Sequence, residues 1–435
     1  MDKYSSYKDS GVQWIGQIPS HWEVKHLRNF LTIFSEKGFD NAQLLSVTRE
    51  KGVILRDRDD KEENHNYVPD DLSGYKHLMS GDFVINKMKS WQGSYGVSKY
   101  EGIVSPAYFT CKLRGVDPQF FSQAIRSKAY IGFFMQYSKG IRVDQWDLDP
   151  SSMKDIPFIL PPLDEQKKIV PYLDAATAKI DEAIVQQQRM IDLLNERRQI
   201  IINRVITKGL NANVKMKDSG IEWVGDVPES WEKHRIYYTI ERRFDGTWGD
   251  DEKGNSNDVI CYRVADFNYQ KGCLDNKKLT LRNVDQETRE KKKVQKDYLL
   301  IEKSGGGDLY PVGRVVSVNY EQDAICSNFI HALKIKDGFD SRFIFYILKS
   351  MYANKVNTPF FNQTTGIQNL QVKEYLKNEM FYPEYKEQCR ISKHLDRISD
   401  SIQERIEDCN RMISLLQERK QIIINDVVTG KVKVF

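Results

Sequence analysis

The chain repeats two stretches of its own sequence, and this repeat limits the folds that are open to it. Residues 8–27 read KDSGVQWIGQIPSHWEVKHL, and residues 217–236 align with them without a gap as KDSGIEWVGDVPESWEKHRI. Residues 189–207 and 411–429 are identical at 14 of 19 aligned positions. The displacement grows from 209 to 222 residues, so the region between the two blocks is 13 residues longer in the second copy. Such self-similarity indicates that one structural unit occurs twice.

The regions between the repeated blocks share a skeleton and little sequence. Strand-like runs, such as Asp82 to Asn86 and Val315 to Asn319, alternate with helix-like runs, such as Pro118 to Gln136 and Ser341 to Val356. This alternation predicts a mixed α/β (α+β) domain in each copy. The predicted order is a variable domain at 1–160, a conserved helix at 161–210, a second variable domain at 211–382 and a second conserved helix at 383–435.

The second repeated block predicts one long helix in each copy. Residues 164–206 contain no glycine, and their apolar residues recur at the spacing of one helical face. This stripe is Leu173, Ile180, Ile184, Ile191, Leu194, Ile201 and Val205, and its second copy is Leu395, Ile402, Ile406, Ile413, Leu416, Ile423 and Val427. A helix this long spans about 65 Å, so we expect the two stripes to pack against each other. Pro171, whose counterpart is Lys393, predicts a kink or a later start in the first helix.

Composition and motif searches exclude several classes of protein. The 435 residues are 40% apolar and 29% charged, with a mean hydropathy of −0.57, which is typical of a globular protein. Since there is neither a long apolar run nor a signal-peptide pattern, we expect a cytoplasmic protein. Six cysteines and seven histidines are scattered without zinc spacing or a nucleophile motif, so we expect no metal centre, no cofactor site and no catalytic residues. The net charge of +4 divides into +1 for each of the four segments, so none is a strongly basic domain.

Three motifs together carry a resemblance to a known family. They are D-S-G-x-x-W-x-G-x-(I/V)-P-x-x-W-E before each variable region, P-x-x-x-E-Q at Pro161 and Pro383, and E-R-(R/K)-Q-x-I-I-N-x-V-(I/V)-T at the end of each helix. In this order the chain resembles a specificity (S) subunit of a type I restriction-modification system, over its whole length.

The resemblance implies a DNA-binding subunit that is not an enzyme. Two target-recognition domains would each read one half of a bipartite, asymmetric DNA target, and the two helices would form an antiparallel coiled coil that spaces them about a pseudo-twofold axis. Two methyltransferase (modification) subunits that carry S-adenosylmethionine would dock on the helices. Restriction subunits that use ATP and Mg²⁺ would join the complex, which modifies adenine. Because each segment carries only +1, we expect the chain alone to bind DNA weakly.

Candidate DNA-reading residues follow from the side chains that match base edges in the major groove, chiefly Arg, Lys, Asn, Gln and Thr. In the first domain, loops 87–92 and 137–142 carry them, and Gln145 follows the second loop. The candidates are Lys87, Lys89, Trp91, Gln92, Lys139, Arg142 and Gln145, with Arg49 as a weaker one. The alternative for the second loop is a plain turn.

The second domain carries different groups at equivalent places. The candidates are Arg263, Lys303, Ser304, Gln363, Thr364, Thr365, Gln368 and Asn369. Glycines 305–307 either bring backbone amides close to a phosphate or form a flexible hairpin. The basic run 289–293 either is solvated or follows the phosphate backbone.

Charged helix residues outside the stripe are also repeated. They are Arg189, Glu196 and Arg197 in the first copy and Arg411, Glu418 and Arg419 in the second. Solvated faces with local ion pairs are one interpretation. Docking of a partner is the other, because packing between the two helices constrains the stripe alone.

Two other functions compete with DNA reading. A methyltransferase or nuclease is disfavoured, since the sequence has no Asn/Asp-Pro-Pro-Tyr motif, no cofactor-binding glycine loop and no Walker A motif. A coiled-coil scaffold would explain the helices. It leaves no role for equivalent loops with different base-reading side chains.

Overall fold

The computed structural model describes residues 2–57, 68–140, 146–275, 279–307, 309–364 and 366–435. The chain divides into two compact units. The first unit comprises Met1–Gln186 and Met412–Phe435, and the second unit comprises Gln187–Arg411. Each unit therefore contains one variable domain and part of both long helices. Strands and helices are mixed in both units, which confirms the predicted α/β class.

The first unit opens with short strands and ends in a long helix. Its strands are β1 (Tyr7–Asp9), β2 (Gln17–Pro19), β3 (Glu23–His26), β4 (Leu31–Phe34), β5 (Leu45–Thr48), β6 (Gly52–Leu55), β7 (Lys76–Leu78), β8 (Phe83–Asn86), β9 (Tyr95–Val97), β10 (Gly102–Val104), β11 (Tyr108–Leu113), β12 (Ser138–Lys139), β13 (Asp147–Leu148) and β14 (Pro157–Leu160). Its helices are α1 (Pro118–Ile125), α2 (Lys128–Gln136), α3 (Pro150–Met153) and the start of α4 (Leu163–Lys208).

The second unit follows the same order with a larger set of strands. These are β15 (Met216–Asp218), β16 (Asp226–Pro228), β17 (Glu232–Arg235), β18 (Ile240–Asp245), β19 (Asp250–Asp251), β20 (Asp258–Tyr262), β21 (Phe267–Asn268), β22 (Cys273–Leu274), β23 (Leu281–Asn283), β24 (Leu299–Glu302), β25 (Ser304–Gly305), β26 (Val315–Ser317), β27 (Ala324–Cys326), β28 (Ile330–Ile335), β29 (Phe361–Thr364), β30 (Ile367–Leu370) and β31 (Glu379–Tyr382). The helices are α5 (Gln286–Lys292), α6 (Ser341–Ala353), α7 (Val372–Tyr375) and the start of α8 (Tyr385–Val428), whose residues from Met412 onward belong to the first unit.

The first variable domain is built on the sheet β4-β11-β8-β9. Strand β11 is antiparallel to both neighbours, so that Cys111 lies opposite Ile33 on one side and Phe83 on the other. Helix α1 is capped by Asp117, whose carboxylate accepts hydrogen bonds from two backbone N–H groups of the first turn. Phe121 on this helix packs edge-on against Phe83, which joins helix and sheet in one core.

The repeated tryptophan segment anchors the first domain to the start of α4. Trp22 is fully buried and donates from Nε1 to Glu165 Oε2 at 2.8 Å. The Tyr4 hydroxyl donates to the same carboxylate at 3.3 Å, and His21 Nε2 lies 2.6 Å from its other oxygen. Strand β3, which follows Trp22, pairs with β14, which leads into α4.

The two long helices run antiparallel within the first unit. Leu173 of α4 and Val427 of α8 belong to the same hydrophobic core. Further along, the Lys420 ammonium pairs with the Asp181 carboxylate at 2.6 Å. The start of α4 therefore lies beside the end of α8.

The second domain has a six-stranded sheet β18-β28-β24-β26-β22-β21, a four-stranded sheet β19-β23-β20-β27 and a three-stranded sheet β25-β30-β29. Strand β17 pairs with β31 as β3 pairs with β14. The helices are again antiparallel within the unit. Ile202 of α4 and Leu395 of α8 share a core, and Arg198 Nη1 donates to Gln403 Oε1 at 3.3 Å.

The helix predicted at residues 164–206 is confirmed as Leu163–Lys208. A start after Pro171 was one of the two predicted outcomes and is wrong, because the helix begins eight residues before this proline. Its apolar stripe faces the interior: Leu173 is fully buried, and Ile191 is 8% exposed.

The six cysteines are free thiols, and burial raises the pKa of Cys111 to about 12.

Candidate nucleic-acid interface and helix surface

In the first domain, the structure brings loop 87–92 beside the described residues that flank the second candidate loop. Loop 87–92 follows β8, and the second loop connects β12 to β13. The Ser90 and Ser138 hydroxyl oxygens lie 3.3 Å apart, and the Trp91 and Trp146 rings pack at 5.2 Å between centroids. Residues 55 positions apart in sequence, Trp91 and Trp146, therefore lie on one surface.

The candidate side chains of this surface differ in whether they are exposed or already bonded within the protein. Lys89 is exposed, and Gln92 is partly exposed. The Lys87 ammonium is paired with the Asp147 carboxylate at 3.0 Å, and Trp91 Nε1 donates to the Met88 carbonyl at 3.2 Å. Lys139 lies in β12, where only its backbone is described. Arg142 and Gln145 lie outside the described residues.

Arg49 is exposed on the turn between β5 and β6. A residue absent from the sequence prediction holds this turn: Arg126 donates to the carbonyls of Arg49 at 3.0 Å and Glu50 at 2.6 Å, and also to Tyr95 O. Burial lowers the pKa of Arg126. Since arginine stays charged even so, it acts here as a rigid backbone clamp.

In the second domain, the candidate residues form the three-stranded sheet β25-β30-β29. Ser304 lies opposite Asn369 in register, and its hydroxyl donates to Asn369 Oδ1 at 2.5 Å. Gln363 and Asn369 are exposed on this sheet. Thr364 ends β29, with only its backbone described, and Thr365 lies outside the described residues.

Gln368 differs from its neighbours because it is buried, with 2% of its surface exposed. Its Oε1 accepts a hydrogen bond from the Val312 N–H at 3.2 Å. Gly306 lies against the same amide, with φ +62°, and a Cβ there would come within 3.0 Å of Gln368 Oε1. Gln368 and Gly306 thus hold the strand and the following loop together.

Lys303 is part of a charged cluster at the edge of the large sheet. Its ammonium lies 3.0 Å from Asp245 Oδ2, and His331 Nδ1 lies 2.6 Å from Asp245 Oδ1. Burial alone would raise the pKa of Asp245, but the hydrogen bonds from His331 and Lys303 outweigh it and hold the pKa below its usual value. Burial lowers the pKa of His331, so the ring is neutral near pH 7.

Arg263 lies beside an open cavity of about 530 Å³. Its guanidinium pairs with Asp266 at 2.9 Å, which raises the pKa of Arg263. The rim carries two partly exposed aromatic residues that the sequence analysis missed, Trp248 and Phe329, and Arg282 stacks on Trp248 at 4.5 Å. No repeat marked these residues, because they lie in the variable region.

The charged helix residues predicted to bind a partner are all exposed. In the second unit these are Arg189, Glu196, Arg197 and Arg411, and in the first unit they are Glu418 and Arg419. Arg411 forms an ion pair with Asp408 on its own helix. The other five have no ion pair among the described residues.

Exposed apolar residues lie among these charges, and the sequence analysis missed them too. On α4 they are Met190, Leu193 and Ile200, with 48%, 50% and 59% of their surfaces exposed. Their counterparts on α8 are Met412, Leu415 and Ile422, with 47%, 59% and 52% exposed. We call these sets the α4 strip and the α8 strip. The sequence could have indicated them, because the same apolar residues recur in both copies outside the buried stripe.

The described ranges contain neither a metal site nor a membrane-spanning helix. These ranges contain no group of three or more His, Cys, Asp or Glu residues placed to bind a metal ion. They also contain no helix with the length and apolar character needed to cross a bilayer.

Comparison with known proteins gives consistent results. Residues 238–408 match the family model of the type I restriction modification DNA specificity domain. A putative type I restriction enzyme specificity subunit, MjaX of Methanocaldococcus jannaschii, is 23% identical over 97% of this chain and 96% of its own. The StySPI specificity subunit of Salmonella potsdam is 22% identical over 92% of this chain and 88% of its own.

The fold is also shared with a solved structure. One chain from a study of complex assembly and conformational transition in the type I R-M system superimposes with a TM-score of 0.67. It covers 95% of this chain and 99% of its own length at 16% sequence identity.

Proposed function

We propose that the chain is a specificity subunit of a type I restriction-modification system, and that it reads a bipartite, asymmetric DNA target with two recognition domains, residues 1–160 and 211–382. Specificity subunits are not the catalytic subunits of these systems. The chain thus supplies sequence recognition, and its partners supply the chemistry.

One observation carries this proposal. Each unit brings together loops that are distant in sequence, and the loops carry different hydrogen-bonding side chains in the two units. In the first unit, Lys89 and Gln92 lie on this surface, and in the second unit Gln363 and Asn369 do. Lysine matches the acceptors of guanine, whereas Gln and Asn match adenine. Two surfaces of this kind would read two different half-sites.

The long helices suit a spacer between the readers. In both units α4 and α8 run antiparallel, which is the direction that an antiparallel coiled coil with a pseudo-twofold axis requires. Readers that approach one face of B-DNA would have half-sites centred about one helical turn apart, roughly 10 to 10.5 bp.

The strips suit a partner on each helix. An exposed row of Met, Leu and Ile flanked by Arg and Glu is typical of a surface that another helix covers. We propose that the α4 strip and the α8 strip each dock one modification subunit that carries S-adenosylmethionine. Restriction subunits with ATP and Mg²⁺ complete the assembly, and this chain binds no cofactor itself.

The test is to change one reader at a time and determine the methylated sequence. The chain is co-expressed with its modification subunit, and the methylated motif is read by methylome sequencing. Gln363→Ala should relax one half of the motif, and Lys89→Ala should relax the other half. Exposed lysines that are not candidate readers serve as controls, so Lys99→Ala and Lys373→Ala should leave the motif intact. A motif that both loop variants leave unchanged would refute these two surfaces as the readers.

A further inference from the structure

The first unit contains an open groove next to the α8 strip. The groove has a volume of about 510 Å³, within the usual range for binding sites of roughly 300 to 1,000 Å³. One side is formed by Trp14 and by the start of α2, and the other by Gln421, Ile422, Asn425 and Asp426 of α8. Trp14 is 51% exposed and packs on Phe133 with ring centroids 4.8 Å apart.

In the second unit, the residues equivalent to those of the groove form hydrogen bonds with one another. There α6 continues without a break, so that Ser350 donates its hydroxyl to Asn203 Oδ1 of α4. Gln199 Nε2 donates to the same oxygen at 2.7 Å. Gln199 and Asn203 are the counterparts of Gln421 and Asn425 in the helix repeat. In the second unit these polar groups therefore bond to one another.

In the first unit the same polar groups lack these partners. The counterpart of Ser350 is Ser127, since each follows its capping aspartate at the same interval. Ser127 lies where α1 ends and α2 begins, and its hydroxyl is buried without a hydrogen bond among the described residues. Gln421 lines the groove, and its Oε1 is likewise buried without a hydrogen bond among the described residues. A buried acceptor without a donor is unfavourable. A ligand in the groove that donates a hydrogen bond is therefore favoured once the Gln421 amide turns toward it.

We propose, on the basis of the docking proposed above, that the modification subunit docked on the α8 strip inserts a tryptophan or tyrosine side chain into this groove. Either side chain is aromatic and carries an N–H or O–H donor. Ile422 belongs to both the strip and the groove, so the two surfaces are continuous. Most of the exposed wall surface is apolar, and Lys128, Asn425 and Asp426 add polar groups to it. Together with the acceptor at Gln421, this surface matches an aromatic body with a polar tip. The two docking surfaces of the chain are then unequal, and the one on α8 binds its partner more tightly.

Gly132 allows the groove to be blocked without disturbing the fold. It lies inside α2 with an ordinary helical backbone, and a Cβ at this position would meet no atom within 4 Å. Gly132→Phe should therefore fill the groove, and Gly132→Ala is the matched control, since it adds helix propensity without filling the space. Trp14→Ala is a second variant, which removes the half-exposed indole ring that forms part of one wall of the groove.

To measure each docking surface separately, a charged residue is introduced into the other strip so that only one surface can bind. Ile200→Asp disables the α4 strip and leaves the surface on α8, and Ile422→Asp does the reverse. Purified modification subunit is titrated into each chain by calorimetry, and the stoichiometry is checked by native mass spectrometry. In the Ile200→Asp chain, Gly132→Phe and Trp14→Ala should each weaken binding at least tenfold, and Gly132→Ala should not. In the Ile422→Asp chain, Gly132→Phe should have no effect.

Two outcomes would count against the inference, and they are distinguishable. If the unmodified chain binds two modification subunits but Gly132→Phe and Trp14→Ala leave the surface on α8 at full affinity, the groove is not occupied, and the docking function stands. If the unmodified chain binds no modification subunit at all, the proposed function itself fails, and the groove proposal fails with it.

Discussion

Lys349 lies on α6 at a point where positive charges from two helices meet. Arg198 of α4 and Arg342 of α6 lie near its ammonium, and Asp396 of α8 is the nearby carboxylate. That carboxylate already accepts from Arg342 Nε at 2.7 Å and from the Tyr346 hydroxyl at 2.7 Å. Desolvation, together with the two arginines, lowers the pKa of Lys349 to about 7. The fold therefore holds this amine neutral over much of the alkaline range.

Replacement of this lysine should stabilise the protein in a pH-dependent way. In the unfolded chain the lysine stays protonated up to about pH 10.4. The folded state loses that proton near pH 7, so the unfolded state binds more protons between these values and wild-type stability rises with pH. Lys349→Met should add on the order of a few kcal/mol at pH 7 and little at pH 10. Urea unfolding of both chains at the two pH values measures this, with the exposed Lys373→Met as control. An equal gain at both values would contradict it.

Gln363 and Gln368 show why the reading surface could be predicted only in part. Both lie in the loop region that its Gln, Asn and Thr content marked as a reader. Gln363 is exposed, whereas Gln368 is bonded to the Val312 amide, which belongs to a distant loop. Lys87 and Lys303 were predicted from residue type alone, and both are paired with carboxylates that are distant in sequence. Residue type indicates what a side chain can bind, and tertiary contacts determine whether it is free.

At the scale of elements, the sequence predicted the long helices well because their periodicity is local. The stripe and the lack of glycine placed α4 within two residues at each end. The strips were missed because a single apolar residue outside the stripe has no meaning in one copy alone. It indicates a surface only when the same residue recurs at the equivalent position of the other copy. The short strands of the variable domains could not be placed in sheets, since β22, for example, pairs with β21 and with β26, some 40 residues away.

The proposed spacer predicts the effect of lengthening both helices. The two units divide after Gln186 in α4 and after Arg411 in α8, so one heptad inserted at each point preserves the contacts within each unit. Seven residues add about 10 Å of helix at ~1.5 Å per residue. Since base pairs are stacked at ~3.4 Å, the unread spacer should grow by about three base pairs. Methylome sequencing would measure this, with seven residues inserted in the exposed turn at 211–213 as control. An unchanged spacer in the lengthened chain would show that the helices do not set the distance.

At the scale of the whole molecule, the repeat predicted two copies of a mixed α/β fold, and each compact unit contains one of them. The sequence did not show that each unit also takes in the far end of the other copy's helix. That follows from the antiparallel pairing of α4 and α8 within each unit, through contacts such as Arg198 with Gln403 and Asp181 with Lys420. Contacts between residues more than 200 positions apart leave no trace in a local pattern.

The charge of the whole chain predicts how it binds DNA in isolation. The net charge is only +4, and three of the candidate cations, Lys87, Lys303 and Arg263, are paired with carboxylates. Each phosphate contact contributes about −0.9 to the slope of log K against log salt concentration, so two or three contacts give a slope of roughly −2 to −3. We expect weak binding with such a slope for the isolated chain and a steeper slope once modification subunits are bound. Fluorescence anisotropy on a duplex with the target, between 50 and 200 mM salt, compares the two, and a duplex without the target serves as control. Equal slopes would mean that the chain itself supplies the phosphate contacts, contrary to its charge distribution.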